Sequence, residues 1–145
     1  MSKMMLVVDD EPTSLELMAK ALRRAGHLVV TTSNGVEAQQ ALSAARFEVV
    51  VTDIFMPEMD GLELIRHICG TSPDTPIIAV SGGSSIMGQG FLPIALALGA
   101  DVVLRKPVLP RALCQAVEGL TIDRNRRYAS GEGRDGLRKW TRQLS

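Results

Sequence analysis

One stretch constrains this chain more than any other: Phe47-Glu-Val-Val-Val-Thr-Asp-Ile-Phe-Met-Pro-Glu-Met-Asp-Gly61. Val49, Val50 and Val51 form a β-branched run with no polar alternation, which reads as a strand covered on both faces, as in a parallel sheet. A carboxylate in the middle of such a strand would be buried and unpaired, at high cost. Asp53 is therefore expected where the strand stops. Pro57 and the Asp60-Gly61 pair turn the chain soon afterwards. In open α/β sheets the ligand crevice lies outside the carboxyl ends of the strands. Taken alone, Asp53 could equally be a helix cap or a turn residue. The choice rests on whether other strands end in matching chemistry.

The rest of the chain supplies that comparison. Met4-Met-Leu-Val-Val8 is a second apolar run, and it ends in Asp9-Asp10-Glu11. Pro12 and Thr13 open a helix over Ser14–Ala25, with Leu15, Leu17, Met18, Ala21, Leu22 and Ala25 at helical spacing and Gly26 as its stop. Acids at a helix start are common because negative charge suits a helix N-terminus. That reading covers Glu11 better than Asp9. His27–Thr32 reads as a shorter, more polar strand at an edge of the sheet, and His27 as a residue beside a turn. Asn34-Gly35 starts a helix carrying Val36, Ala38, Ala41, Leu42 and Ala45. Leu62, Leu64, Ile65 and Ile68 mark another helix, which ends by Gly70. Ile77-Ile-Ala-Val80 is the fourth strand and runs directly into Ser81. The glycine-rich loop after Ser81 misses the phosphate-loop pattern, since Gln89 follows Gly88 where a Lys is needed, and no dinucleotide fingerprint occurs. It reads as a flexible connection to a helix at about Phe91–Leu98. Asp101–Leu104 is the fifth strand, followed by Arg105-Lys106-Pro107, and a last helix spans Pro110 to about Leu120. Alternating strands and helices predict an α/β fold, a doubly wound five-stranded parallel sheet with helices on both faces.

Side by side, the strand ends offer Asp9 and Asp10, then Asp53, Ser81 and Lys106. Carboxylates brought together repel and raise one another's pKa unless a cation sits among them. Hard oxygen donors of this kind suit Mg²⁺. A carboxylate can act as a nucleophile and form an aspartyl phosphate. A lysine and a hydroxyl can hold the oxygens of a phosphoryl group in transfer.

With Lys106-Pro107 in place, the chain resembles a response-regulator receiver domain of two-component signalling, of the stand-alone, chemotaxis-regulator-like type. The resemblance covers about residues 3 to 120. It rests on Asp9-Asp10, the Asp53-Ile-Phe-Met-Pro-Glu-Met-Asp-Gly61 block, Ser81-Gly82, Gly99-Ala-Asp and Lys106-Pro107. It implies a flavodoxin-like sheet in the order 2-1-3-4-5 and a cis Lys106–Pro107 bond. It also implies that Asp53 accepts a phosphoryl group from a sensor histidine kinase or a histidine phosphotransfer protein. Asp10, Asp53 and the Phe55 carbonyl would bind Mg²⁺ directly and Asp9 through water, with Ser81 and Lys106 on the phosphoryl oxygens. The module so implied is a phosphoacceptor, with only self-catalysed phosphorylation and dephosphorylation. Its output is phosphorylation-dependent binding of a protein target through helix 4, strand 5 and helix 5, with Phe91, Leu92 and Arg105 as candidates. A phosphorelay intermediate or phosphate sink would use the same site without a conformational output. A hydrolase of small phosphate esters would need a second acid shortly after Asp53, where Ile54, Phe55 and Met56 stand.

Three features depart from the family pattern. Val103 occupies the strand-5 position usually held by a switch aromatic. The loop from Gly82 to Gly90 is about three residues longer than usual, and its reordering around Ser81 is a candidate switch. About 25 residues follow the last helix, too few for a DNA-binding or enzymatic domain, so the expected division is a receiver over 1–120 and a basic, flexible tail over 121–145. From Thr121 onward there are seven Lys/Arg and three Asp/Glu, although the whole chain has 16 of each. Leu137, Trp140 and Leu144 share a helical spacing among basic residues, as in a docking helix or a solvated tail. No specific DNA binding is expected. Cys69 and Cys114 read as reduced packing residues. The sequence lacks a signal-peptide pattern and a membrane-spanning run, so the expected location is cytoplasmic.

Overall fold

The computed structural model describes residues 2–56, 59–82 and 93–130, and over 121–130 it describes the course of the helix alone. The strands are β1 (Met4–Val8), β2 (Leu28–Thr32), β3 (Val49–Asp53), β4 (Ile77–Ser81) and β5 (Val102–Arg105). The helices are α1 (Pro12–Arg24), α2 (Gly35–Ala44), α3 (Gly61–Thr71), α4 (described over 93–98) and α5 (Pro110–Ser130). All neighbouring strands pair in parallel, in the order β2-β1-β3-β4-β5. The expected architecture and strand order are both observed.

Side-chain alternation along the strands divides the interior into two layers. Leu6, Val8, Val50, Ile77 and Ala79 face α2, α3 and α4, where they pack with Ala38, Leu64, Ile65, Ile68 and Ala95. Met5, Val7, Val49, Val51, Ile78 and Val80 face the other way, against Met18 and Leu22 of α1 and Leu113, Val117 and Leu120 of α5. Every residue of β3 and β4 is buried. That is why these segments read as unbroken apolar runs. β2 lies at an edge, and its exposed Leu28 and Thr31 explain its more polar sequence.

Element boundaries differ from the expected ones at several points, each for a local reason. α1 begins at Pro12, because a proline at the first helical position has no amide hydrogen to leave unsatisfied. Gly26 takes φ 96°, the left-handed conformation that stops a helix. His27 is not part of β2, because its N–H donates back to the Leu22 carbonyl at 3.1 Å. β5 runs one residue later than expected. Asp101 precedes it as a fully buried anchor whose N–H donates to the Ile77 carbonyl and whose Oδ2 accepts the Ile77 N–H, each at 2.8 Å. At its other end Arg105 pairs with Ser81.

The largest difference lies in α5, which continues ten residues past its expected stop at Leu120, through a segment the sequence reading treats as flexible linker. Thr121–Ser130 contains neither glycine nor proline, so nothing breaks the helix before Gly131. The glycine-rich loop over 83–90, Phe91, Leu92 and the tail over 131–145 lie outside the described residues. Among the described residues, no helix is long and apolar enough to cross a membrane.

Asp101 joins the start of β4 to the start of β5 through a fully buried side-chain acceptor. Asp101→Ala is expected to lower the unfolding free energy by about 2–3 kcal/mol, because the Ile77 N–H would lose its buried partner. Urea denaturation checks this, and a midpoint matching the parent protein would contradict it.

Candidate functional site

β1, β3, β4 and β5 deliver one chemical group each to the same end of the sheet. Asp9 follows β1 directly and is fully buried. Its N–H donates to the Thr32 carbonyl at 3.2 Å, and its Oδ1 accepts the Glu11 N–H at 2.9 Å. Both bonds fix the carboxylate before any ligand is considered. Asp10, the next residue, is exposed. Asp53 is the last residue of β3 and is 4% exposed. Ser81 ends β4 and is equally buried. Its Oγ is shielded from solvent and has no hydrogen-bond partner among the described residues.

Two glycines let the backbone close around these groups. Gly61 opens α3 directly against the Asp53 carbonyl, where a Cβ would collide with that oxygen and with the Ile54 Cα. The Gly61 N–H donates to the Ile54 carbonyl at 2.8 Å, and Asp60 caps α3 by accepting the Glu63 N–H at 2.9 Å. The turn after Asp53 is thereby folded back onto the strand end. Gly82 lies along the Lys106 side chain, so that a Cβ there would come within 2.7 Å of the Lys106 Cδ. The Lys106 N–H donates to the Ser81 carbonyl at 2.9 Å, and the Lys106–Pro107 peptide is cis.

The Lys106 ammonium is the centre of the arrangement. Its Nζ lies 2.8 Å from Asp9 Oδ2, 3.2 Å from Asp53 Oδ2 and 3.8 Å from Glu11 Oε2. The Asp53 contact is a hydrogen bond. The Asp9 contact is shorter still and is an ion pair. Asp9, Asp10 and Asp53 can each present an oxygen within 4.8 Å of the others. Burial and the charge of Asp9 push the Asp53 carboxyl up from 3.8 to about 6, against the opposing pull of Lys106. Burial alone would lower the Lys106 pKa, but Asp9 and Asp53 outweigh it and raise the value, so the ammonium stays charged.

One lysine does not neutralise three carboxylates, two of which are out of water. The donor set is all oxygen, partly buried and open to solvent at Asp10. That fits a hard divalent cation that keeps part of its water shell. The crevice around these groups has a volume of about 790 Å³ and is also lined by Thr13, Leu17, Met18, Phe55 and Val108. A slightly larger hollow of about 850 Å³ lies at the opposite end of the sheet, around Lys3, Glu48 and residues 71–75. It contains none of the candidate site residues Asp9, Asp10, Asp53, Phe55, Ser81 and Lys106.

The structure thus brings Asp9, Asp10, Asp53 and Lys106 into one cluster, with Ser81 at the adjoining strand end and Phe55 on the crevice wall. Val103 packs against the core layer that holds Ala79 and Ala95. Arg105 is exposed. Sequence reading missed Glu11, taking it as a helix-start acid. A glutamate at an N-cap, where Ser, Thr, Asp or Asn is preferred, was the available signal. Cys114 is half-buried, and burial raises its thiol pKa, in keeping with a packing role.

Comparison with known proteins agrees with this geometry. The family model described as the response regulator receiver domain matches residues 5–118. The response regulator receiver protein CpdR of Brucella abortus is 34% identical over 125 residues, covering 83% of this chain and 98% of CpdR. The transcriptional regulatory protein GlrR of Escherichia coli is 35% identical over 117 residues, covering 79% of this chain but 25% of GlrR. The chain therefore spans about a quarter of the length of GlrR. Among solved structures, the chemotaxis response regulator CheY4 of Vibrio cholerae matches with a TM-score of 0.74 and 28% identity, covering 83% of this chain and 99% of CheY4.

The charge arrangement has a stability consequence. In cation-free buffer below about pH 4, Asp53 is protonated in both the folded and unfolded chain, and its burial costs nothing electrostatic. Between about pH 4 and 6 the unfolded chain ionises first, and above that range the fold carries the whole cost, up to about 3 kcal/mol. Asp53→Asn is therefore expected to be more stable than the parent at pH 7.5, by about 1–3 kcal/mol, with the gain vanishing near pH 4. Urea titrations at both pH values check this. A constant difference, or a gain confined to low pH, would contradict it.

Proposed function

This chain belongs to the response regulator receiver family, and on that premise we propose that it takes a phosphoryl group onto Asp53 from the phosphohistidine of a sensor histidine kinase or a histidine phosphotransfer protein. The observation that carries the reading is the Lys106 ammonium held between Asp9 and Asp53 beside an open crevice. An ionised Asp53 oxygen attacks phosphorus, the P–N bond breaks with its electron pair passing to nitrogen, and the ring leaves as neutral imidazole after taking one proton from solvent. The product is an acyl phosphate, whose new charge lies next to Lys106. The ammonium is already desolvated and oriented, so it need not be reorganised when that charge arrives. The buried Ser81 hydroxyl, without a partner among the described residues, is suited to donate to a second phosphoryl oxygen. Asp10, Asp53 and the Phe55 carbonyl would hold Mg²⁺ directly, with Asp9 holding it through water. When bound, the ion supplies the positive charge that offsets three carboxylates and an incoming phosphoryl group.

In this reading residues 1–120 form the phosphoacceptor unit in the cytoplasm, and 121–145 form an appendage with no specific role in DNA recognition. Output is a phosphorylation-dependent contact with a downstream protein. The match with CpdR, a receiver protein by name, over 98% of its length supports the receiver reading. One observation favours a second reading, a carrier or phosphate sink. Val103 packs into the core where a switch aromatic would be needed to couple phosphate to a distant face. Amide chemical shifts separate the two readings. Phosphorylation-dependent changes spreading to β5 and α4 support an output surface, and changes confined to the crevice support the carrier.

Intact mass after incubation with acetyl phosphate and Mg²⁺ tests the acceptor chemistry. One added phosphoryl group is expected, none in Asp53→Asn, and none when the cation is chelated. Lys106→Met is expected to slow the reaction by about a hundredfold, the scale of losing one preoriented charge-stabilising donor. Equal phosphorylation of Asp53→Asn and the parent would overturn the assignment.

A further inference from the structure

Glu11 is the N-cap of α1, yet its side chain makes no capping hydrogen bond. A free N-cap carboxylate is normally drawn to the unsatisfied amides of the first helical turn. Here Glu11 instead points its Oε2 at Lys106, 3.8 Å away, from the rim of the crevice. Its backbone is tied to the site as well, because its N–H donates to Asp9 Oδ1 at 2.9 Å. Asp9, Glu11 and Asp53 therefore share one ammonium. Of the three, Glu11 alone lies outside the set of oxygens that cluster as a cation site.

We propose that Glu11 is a positioning residue that takes charge of the Lys106 ammonium when a divalent cation claims Asp9 and Asp53. Two cations competing for the same two buried carboxylates repel each other. A third carboxylate at the rim lets Lys106 keep a counter-charge without leaving the crevice. The ammonium then remains beside the position the phosphoryl group must occupy, and cation binding is less opposed. This inference rests on the phosphoacceptor reading of the site.

Isothermal titration of Mg²⁺ into the full chain tests it, using Glu11→Gln, Lys106→Met and the double variant. Glu11→Gln is expected to weaken Mg²⁺ binding by about tenfold. In the Lys106→Met background the same change is expected to cost about threefold or less, the direct effect of one exposed charge on the ion. An equal loss in both backgrounds would overturn the proposal and reduce Glu11 to a general negative charge. Glu11→Asp gives a second arm. It keeps the charge, but a shorter carboxylate at the N-cap is drawn onto the helix amides. It should raise the melting temperature while weakening Mg²⁺ binding, and parent-like binding would count against a positioning role. If the parent chain bound no Mg²⁺ at millimolar concentrations, the phosphoacceptor reading itself would fail, which is separate from the loss of coupling.

Discussion

The structure depends on one electrostatic constraint: Asp9 and Asp53 are held out of water within reach of a single ammonium, Lys106. Two buried carboxylates at this range are costly, and the raised pKa of Asp53 is the trace of that cost. The fold tolerates it because Asp9 is fixed by its own turn and Lys106 by its backbone bond to Ser81 and the contact of its stem with Gly82. Removing Lys106 would leave two buried carboxylates without their counter-charge, whereas removing either carboxylate leaves a one-to-one pair. The residual negative charge is one that a hard divalent cation would offset, and the proposed phosphoacceptor role builds on it.

The sheet supplies the precision. β1 and β3 are neighbours, paired from Met5 with Val49 to Val8 with Thr52, so Asp9 and Asp53 follow from adjacent registers. β3 pairs with β4 and β4 with β5, which places Ser81 and Lys106 next in line. The strand order reverses at β1, leaving a gap above the strand ends where no crossover helix lies. Two apolar layers pack the strands from both sides, and the turns that follow the strands set the side chains at their ends.

Most of this was legible in the sequence. Val49–Val51 and Ile77–Val80 carry the signature of doubly covered strands, and a charged residue can follow such a run only at its end. The residues at those ends are the ones the structure brings together: Asp9, Asp10, Asp53 and Lys106, with Ser81 at the adjoining strand end. Element edges were less legible. The offset of β5 comes from Asp101 bonding across to Ile77, a long-range contact with no local signal. The extension of α5 was missed because charged, polar residues without an apolar stripe resemble a linker when periodicity is the guide. Glu11 was missed because an acid at a helix start has an ordinary explanation, and its turn toward Lys106 is a tertiary choice.

The most direct test of the account is to find where the phosphoryl group goes. Borohydride reduces an acyl phosphate on aspartate to homoserine, which peptide mass spectrometry locates in the chain. After reaction with a phosphodonor and Mg²⁺, the account predicts homoserine at position 53 and at no other aspartate. Conversion at Asp9 or Asp10, or a phosphorylated protein that resists reduction, would contradict it.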